Sequence, residues 1–180
     1  MHIVKGSTFH DTLRWASSEV RLLAATLVPA APLRFSAPGH GLPPTWWLRV
    51  EGHNSISATE DLEVQVVDAD TLSVPSLNGS KFKAGPVVLR VNMPVDMAGM
   101  TARQQIKDKV GGTVLLELTT ENDRIVLDNV AKTITRTIDA VTTAGIAWKR
   151  GVYDLEMVSG SHVDKIVTVS PVTVGDEVTT

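Results

Sequence analysis

Lys132-Thr133-Ile134-Thr135-Arg136-Thr137-Ile138 repeats with a period of two. In an extended chain this period puts Ile134 and Ile138 on one face and the three threonines on the other, which suits a sheet packed on one side and wet on the other. Both isoleucines are predicted to be buried.

The same signature spreads outward on either side. Thr101–Lys107, Thr113–Thr119, Arg124–Leu127, Val152–Val158 and Lys165–Val174 are short runs rich in Val, Ile and Thr, bounded by Gly, Asn, Asp and Pro. Their spacing is that of a β-sandwich. Gly111-Gly112 supplies the positive φ of a tight hairpin, and Glu121-Asn122-Asp123 is predicted to close the next strand pair with residues that tolerate the left-handed region. In Val152–Val158, Tyr153, Leu155 and Met157 share one face and form the predicted core side. Asp154 and Glu156 take the other. Upstream, Ser7–Trp15 alternates as an amphipathic strand with no partner nearby, so it must pair far along the chain.

Between these regions the composition changes. Eight of the nine prolines lie at or before Pro94, and Ala37-Pro38-Gly39-His40-Gly41-Leu42-Pro43-Pro44 cannot be a strand interior. Leu33–Ser36, Trp46–Val50, Leu62–Val67 and Thr71–Val74 read as four short strands of a small barrel, with Asp68-Ala69-Asp70 as a hairpin connection. Glu19–Leu27 reads as a short helix from propensity, capped by Ser17 or Ser18 and stopped by Pro29. The predicted fold is all-β: an immunoglobulin-like antiparallel β-sandwich built from residues 1–28 and 88–180, with a small β-barrel inserted at 29–87.

Bulk properties narrow the function. The 180 residues carry a net charge of −3, so no basic field gathers nucleic acid. The most apolar stretch, Leu22–Leu33, is about half a membrane span and contains Pro29 and Pro32. Zero cysteines exclude disulfides and thiolate chemistry and fit a reducing compartment. The N-terminal residues lack a secretory signal, so synthesis and use without export are expected.

Reactive constellations are sparse. His2, His10, His40, His53 and His162 show no metal-ligand spacing. Asn78-Gly79-Ser80 and Val158-Ser159-Gly160-Ser161 read as turns, not as nucleophile elbows. The doublets Asp68/Asp70, Asp154/Glu156 and Asp176/Glu177 read as solvated strand ends before they read as glycosidase pairs. No catalytic residue, cofactor or metal is therefore expected. Trp46 and Trp47 are the candidate interface residues, because adjacent strand positions face opposite ways and one ring must point outward.

Val95-Asp96-Met97-Ala98-Gly99-Met100-Thr101-Ala102-Arg103-Gln104-Gln105-Ile106, continued by Gly112–Asn122, Arg124–Leu127, Gly151–Val158 and Thr168-Val169-Ser170-Pro171, resembles the N-terminal sandwich of siphophage baseplate upper proteins. Gly6–Trp15 is similar to the first strand of that sandwich, which is normally followed almost directly by the aspartate-containing segment. About eighty residues intervene here. Within them, Ala37–Pro43 and Val66–Leu72 resemble the small barrel of the first catalytic-cysteine half-domain of ubiquitin-activating enzymes, without its cysteine. The resemblance implies a non-enzymatic bacteriophage virion structural protein of the tail or baseplate, made in the host cytoplasm. It would join fibres or receptor-binding parts to the particle as a symmetric homo-oligomer, with other virion proteins as partners and no nucleic acid or membrane. The alternatives it leaves are a head decoration or neck and collar protein, and a carbohydrate-binding module at the tail tip.

Overall fold

The computed structural model describes residues 1–176; Glu177, named above with Asp176, lies outside them. The chain opens with β1 (His2–Val4) and β2 (Phe9–Arg14). It continues through β3 (Ala16–Val28), β4 (Leu33–Ser36), β5 (Thr45–Glu51), β6 (Leu62–Asp68), β7 (Thr71–Val74) and β8 (Gly85–Pro94). Then come β9 (Thr101–Lys107), β10 (Val114–Thr119), β11 (Ile125–Asp128) and β12 (Thr133–Ile138), the short helix α1 (Ala140–Ala144), β13 (Arg150–Ser159) and β14 (His162–Gly175). Two compact units result, one from residues 1–15 with 96–176 and one from residues 16–95.

The discontinuous unit is a sandwich. One sheet has the order β1-β14-β13-β9-β10 and the other β11-β12-β2. Every pair is antiparallel except β1 with β14. The inner faces of the two sheets share one core that includes Ile106, Leu118, Ile134, Ile138, Leu155 and Met157. Ile134 and Ile138 are fully buried, each worth about 1.5–3 kcal/mol relative to exposure. The N-terminal strand finds its distant partner: Phe9 lies opposite Ile138 and Leu13 opposite Ile134 in β12. Gly111 closes the β9–β10 hairpin at φ 72°, a value that costs glycine nothing. Gly151 permits a close strand approach, since a Cβ there would meet the Lys107 carbonyl oxygen at 2.6 Å.

The second unit is a closed barrel with the order β3-β4-β7-β6-β5-β8, β8 returning to β3. Phe35, Leu27, Leu48, Val64, Leu72 and Leu89 fill it. Closure leaves no sheet edge.

Several expectations change. Residues 19–27 are strand rather than helix: Leu23, Ala25 and Leu27 are buried while Leu22, Ala24, Thr26 and Val28 are exposed, a period of two imposed by pairing with β4 and β8. Tertiary pairing here overrides helix propensity. The barrel has six strands, not four, and spans 16–95 where 29–87 was expected, because β3 and the proline-bracketed β8 both belong to it. Glu121-Asn122-Asp123 does not close a hairpin. It carries the chain from β10 in one sheet to β11 in the other, with Asp123 at φ 59°. The helix α1 went unpredicted; Asp139 caps it by accepting the Thr142 N–H at 2.7 Å.

Candidate interaction surfaces

Each residue singled out for chemistry has a structural neighbourhood. On β5, Trp46 points into the barrel, is 3% exposed, and donates its indole N–H to the Asn92 carbonyl at 2.8 Å. Trp47 points outward on the same strand and is half-buried, its ring edge-on to Trp46 with centroids 6.4 Å apart. The pair thus divides between core and wall, and the two rings do not form one flat platform.

The carboxylate doublets hold local structure. Asp68 accepts the Asp70 N–H at 2.9 Å across the β6–β7 turn, and Asp70 accepts the Gly39 N–H at 3.0 Å. On the outer face of the larger sandwich sheet, Asp154 and Glu156 both engage Lys165, at 3.0 and 3.3 Å. Glu156 also receives the Arg103 guanidinium at 2.8 Å. That hydrogen bond, then Lys165, holds the Glu156 carboxyl below its ordinary range against the opposing effect of burial. Lys165 is raised in turn, chiefly by its bond to Asp154. Asp176 accepts from Lys149 at 2.5 Å.

The histidines are dispersed. His2 meets Thr173, His10 meets Thr137 and His162 meets Asp164. The His53 ring lies against Phe82, with centroids 5.5 Å apart. His40 is 2% exposed: its Nδ1 accepts the Leu42 N–H, so Nε2 carries the hydrogen donated to the Asp68 carbonyl, both at 3.0 Å. Ser80 hydrogen-bonds Asn78 within its own turn. Among the described residues, no three His, Cys, Asp or Glu side chains group as a metal would require.

The sequence reading missed Arg136. It occupies the inward face of β12 between the two isoleucines and is 3% exposed. Its guanidinium donates to Gln104 Oε1 on β9 at 2.7 Å and to Asp11 Oδ2 on β2, and lies 5.6 Å from the Tyr153 ring centre. One residue therefore links both sheets of the sandwich. The only available signal was a charged residue at an inward position of the Ile–Thr alternation.

The chain matches no protein-family model and no curated protein. What the geometry offers chemically is recognition surface: terminal strands at β11 and β2, a β10 edge partly capped by Asn122 and Arg124, a charged outer face on the larger sandwich sheet, and a barrel wall that carries exposed apolar side chains.

Proposed function

We propose that the chain is a bacteriophage virion structural protein of the tail or baseplate region, which joins fibres or receptor-binding parts to the particle through protein–protein contacts. It acts without catalysis, as a symmetric homo-oligomer among other virion proteins. The observation that carries this reading is the β2–β12 pairing. Two segments that separately resemble parts of a baseplate sandwich, Gly6–Trp15 and the region after Val95, lie in one domain although the barrel separates them in sequence. The β11 edge, which presents Val126, offers strand backbone to neighbouring subunits.

The test is mass spectrometry of purified particles stripped stepwise into heads and tails. The expected result is recovery with tails. Recovery with heads or necks would transfer the protein to a decoration or collar role, and absence from both fractions would overturn the structural reading. The carbohydrate-binding alternative rests on Trp47 alone, since Trp46 is committed to the barrel core. It predicts weak glycan binding that disappears in Trp47→Ala.

A further inference from the structure

The most apolar stretch of the chain is only half buried. Along β3, Val20, Leu22, Ala24, Thr26 and Val28 all face away from the barrel interior, and Leu22 is 59% exposed. On β8, Val88 lies opposite Ala24 and Pro86 opposite Thr26. The result is an apolar stripe running up the barrel wall, in a position where a solvated sheet would carry polar residues.

The stripe ends at a second feature. Pro86 also lines a cleft of about 560 Å³ formed by the β5–β6 and β7–β8 loops, whose rim includes Lys81, Lys83 and Asn54. Both His53 ring nitrogens are used by backbone there, one accepting from Ser55 and the other meeting the Lys83 carbonyl. Among the described residues, neither Lys81 nor Lys83 is ion-paired, and Arg34, opposite Val28 on β4, is not either. On the neighbouring strand β5, Glu51 lies opposite Val88 and already faces Arg90 at 3.8 Å. The surface is thus apolar from Ala24 to Val28, has the Glu51-paired Arg90 opposite Leu22, and at its Lys81–Lys83 end carries cations with no ion-pair partner among the described residues.

We propose that this wall docks an extended segment of another protein that carries alternating apolar side chains followed by a run of carboxylates. The apolar side chains seat on Leu22, Val28 and Val88, and the carboxylates meet Lys81, Lys83 and Arg34. A second copy of this chain fits less well: stacked with stripes parallel, its lysines and Arg34 would face like charges, and stacked antiparallel they would face Leu22 and Arg90, so neither arrangement brings them carboxylates. A stripe one strand wide also falls far short of the roughly 800 Å² per partner that a stable dimer buries. The proposal rests on the chain acting through protein contacts but not on its belonging to a virion tail.

The experiment is an NMR titration of the intact chain with a capped peptide of alternating leucine and serine ending in three glutamates, made in both chain directions. Counterparts carry lysines in place of the glutamates, or serines in place of the leucines. Saturable amide shifts confined to residues 20–28 and 81–88 are expected with the acidic apolar peptide alone. Leu22→Ser with Val28→Ser should weaken binding about tenfold. Lys81→Glu with Lys83→Glu should abolish it and admit the lysine peptide instead. All four positions are exposed, and unchanged amide dispersion elsewhere verifies folding. Equal binding of both charge types, shifts mapping elsewhere, or no shifts at all would overturn the proposal. So would concentration-dependent broadening of residues 20–28 without peptide, which would assign the wall to a second copy. Loss of the protein from tail fractions would leave this outcome untouched, so the two readings fail separately.

Discussion

The barrel and the sandwich reach stability by different means. In the barrel, six strands close on themselves, and the described residues of that unit include no buried Asp, Glu, Lys or Arg. In the sandwich, two sheets keep open edges, and a guanidinium sits between them. Closure determines strand register through the geometry of the ring, whereas an open sheet must specify register through its side chains. The two cores share no residue. A large cavity in one should therefore destabilise that unit alone. Phe35→Ala is expected to cost the barrel about 3–5 kcal/mol and Ile134→Ala the sandwich about 2–5 kcal/mol. Native-state hydrogen exchange reads the two openings separately; equal loss of protection in both units from either variant would erase the distinction.

The sandwich needs its buried charge for a reason visible in the β2–β12 register. A slip of two residues would keep the same faces inward, but it would set Phe9 or Leu13 against Arg136 in place of an isoleucine. Asp11 lies directly opposite Arg136 in the native register, and a slip would place its carboxylate against an isoleucine. The ion pair is thus a register device for a strand that must find its partner across an eighty-residue insertion. Asp11→Ala, which strands the guanidinium, is expected to cost about 3–5 kcal/mol. The double change Arg136→Met with Gln104→Leu should cost less, because apolar groups replace both buried partners and Asp11, about a third exposed, regains water. Urea unfolding of the sandwich ranks the two; the opposite order would remove the register role.

Much of this division was legible in residue periodicity. Thr101–Lys107, Leu33–Ser36 and Thr71–Val74 match their strands residue for residue, because alternation and flanking turns both marked them. β3 was not legible, since its Leu and Ala residues favour helix locally and only distant β8 reveals the period of two. Arg136 was obscured by its own chemistry: charge predicts solvent, and its two carbonyl-type acceptors lie on other strands. His40 was equally hidden in a segment readable only as non-strand. Its Nε2 ties that loop to Asp68 at the end of β6 and its Nδ1 braces the loop internally, so His40→Ala should orphan the Leu42 N–H. The expected cost is about 1–3 kcal/mol, seen as faster exchange at residues 37–44. Unchanged exchange there would mean that Asp70, through its bond to Gly39, holds the loop by itself.

Acid provides the smallest and most graded comparison. Five described carboxylates of the sandwich unit are held below their ordinary pKa, which is 3.8 for Asp and 4.5 for Glu: Asp96 chiefly by the Asn129 amide, Glu121 by backbone, Asp139 by Thr142, Glu156 by Arg103 and Asp176 by Lys149. The barrel has one, Asp68, held by the Asp70 N–H. A carboxylate lowered in the folded state contributes stability that is fully present above its unfolded pKa and drains as pH falls through the folded value. The sandwich should accordingly lose stability faster than the barrel as pH drops from about 4.5 through 3.8 and below. Each group is at or near the surface, so the individual contributions are small and screened by salt. Glu156→Gln should flatten the sandwich's acid slope and leave the barrel's unchanged. A barrel that opened first on acidification would instead place the acid-sensitive step outside these sandwich carboxylates.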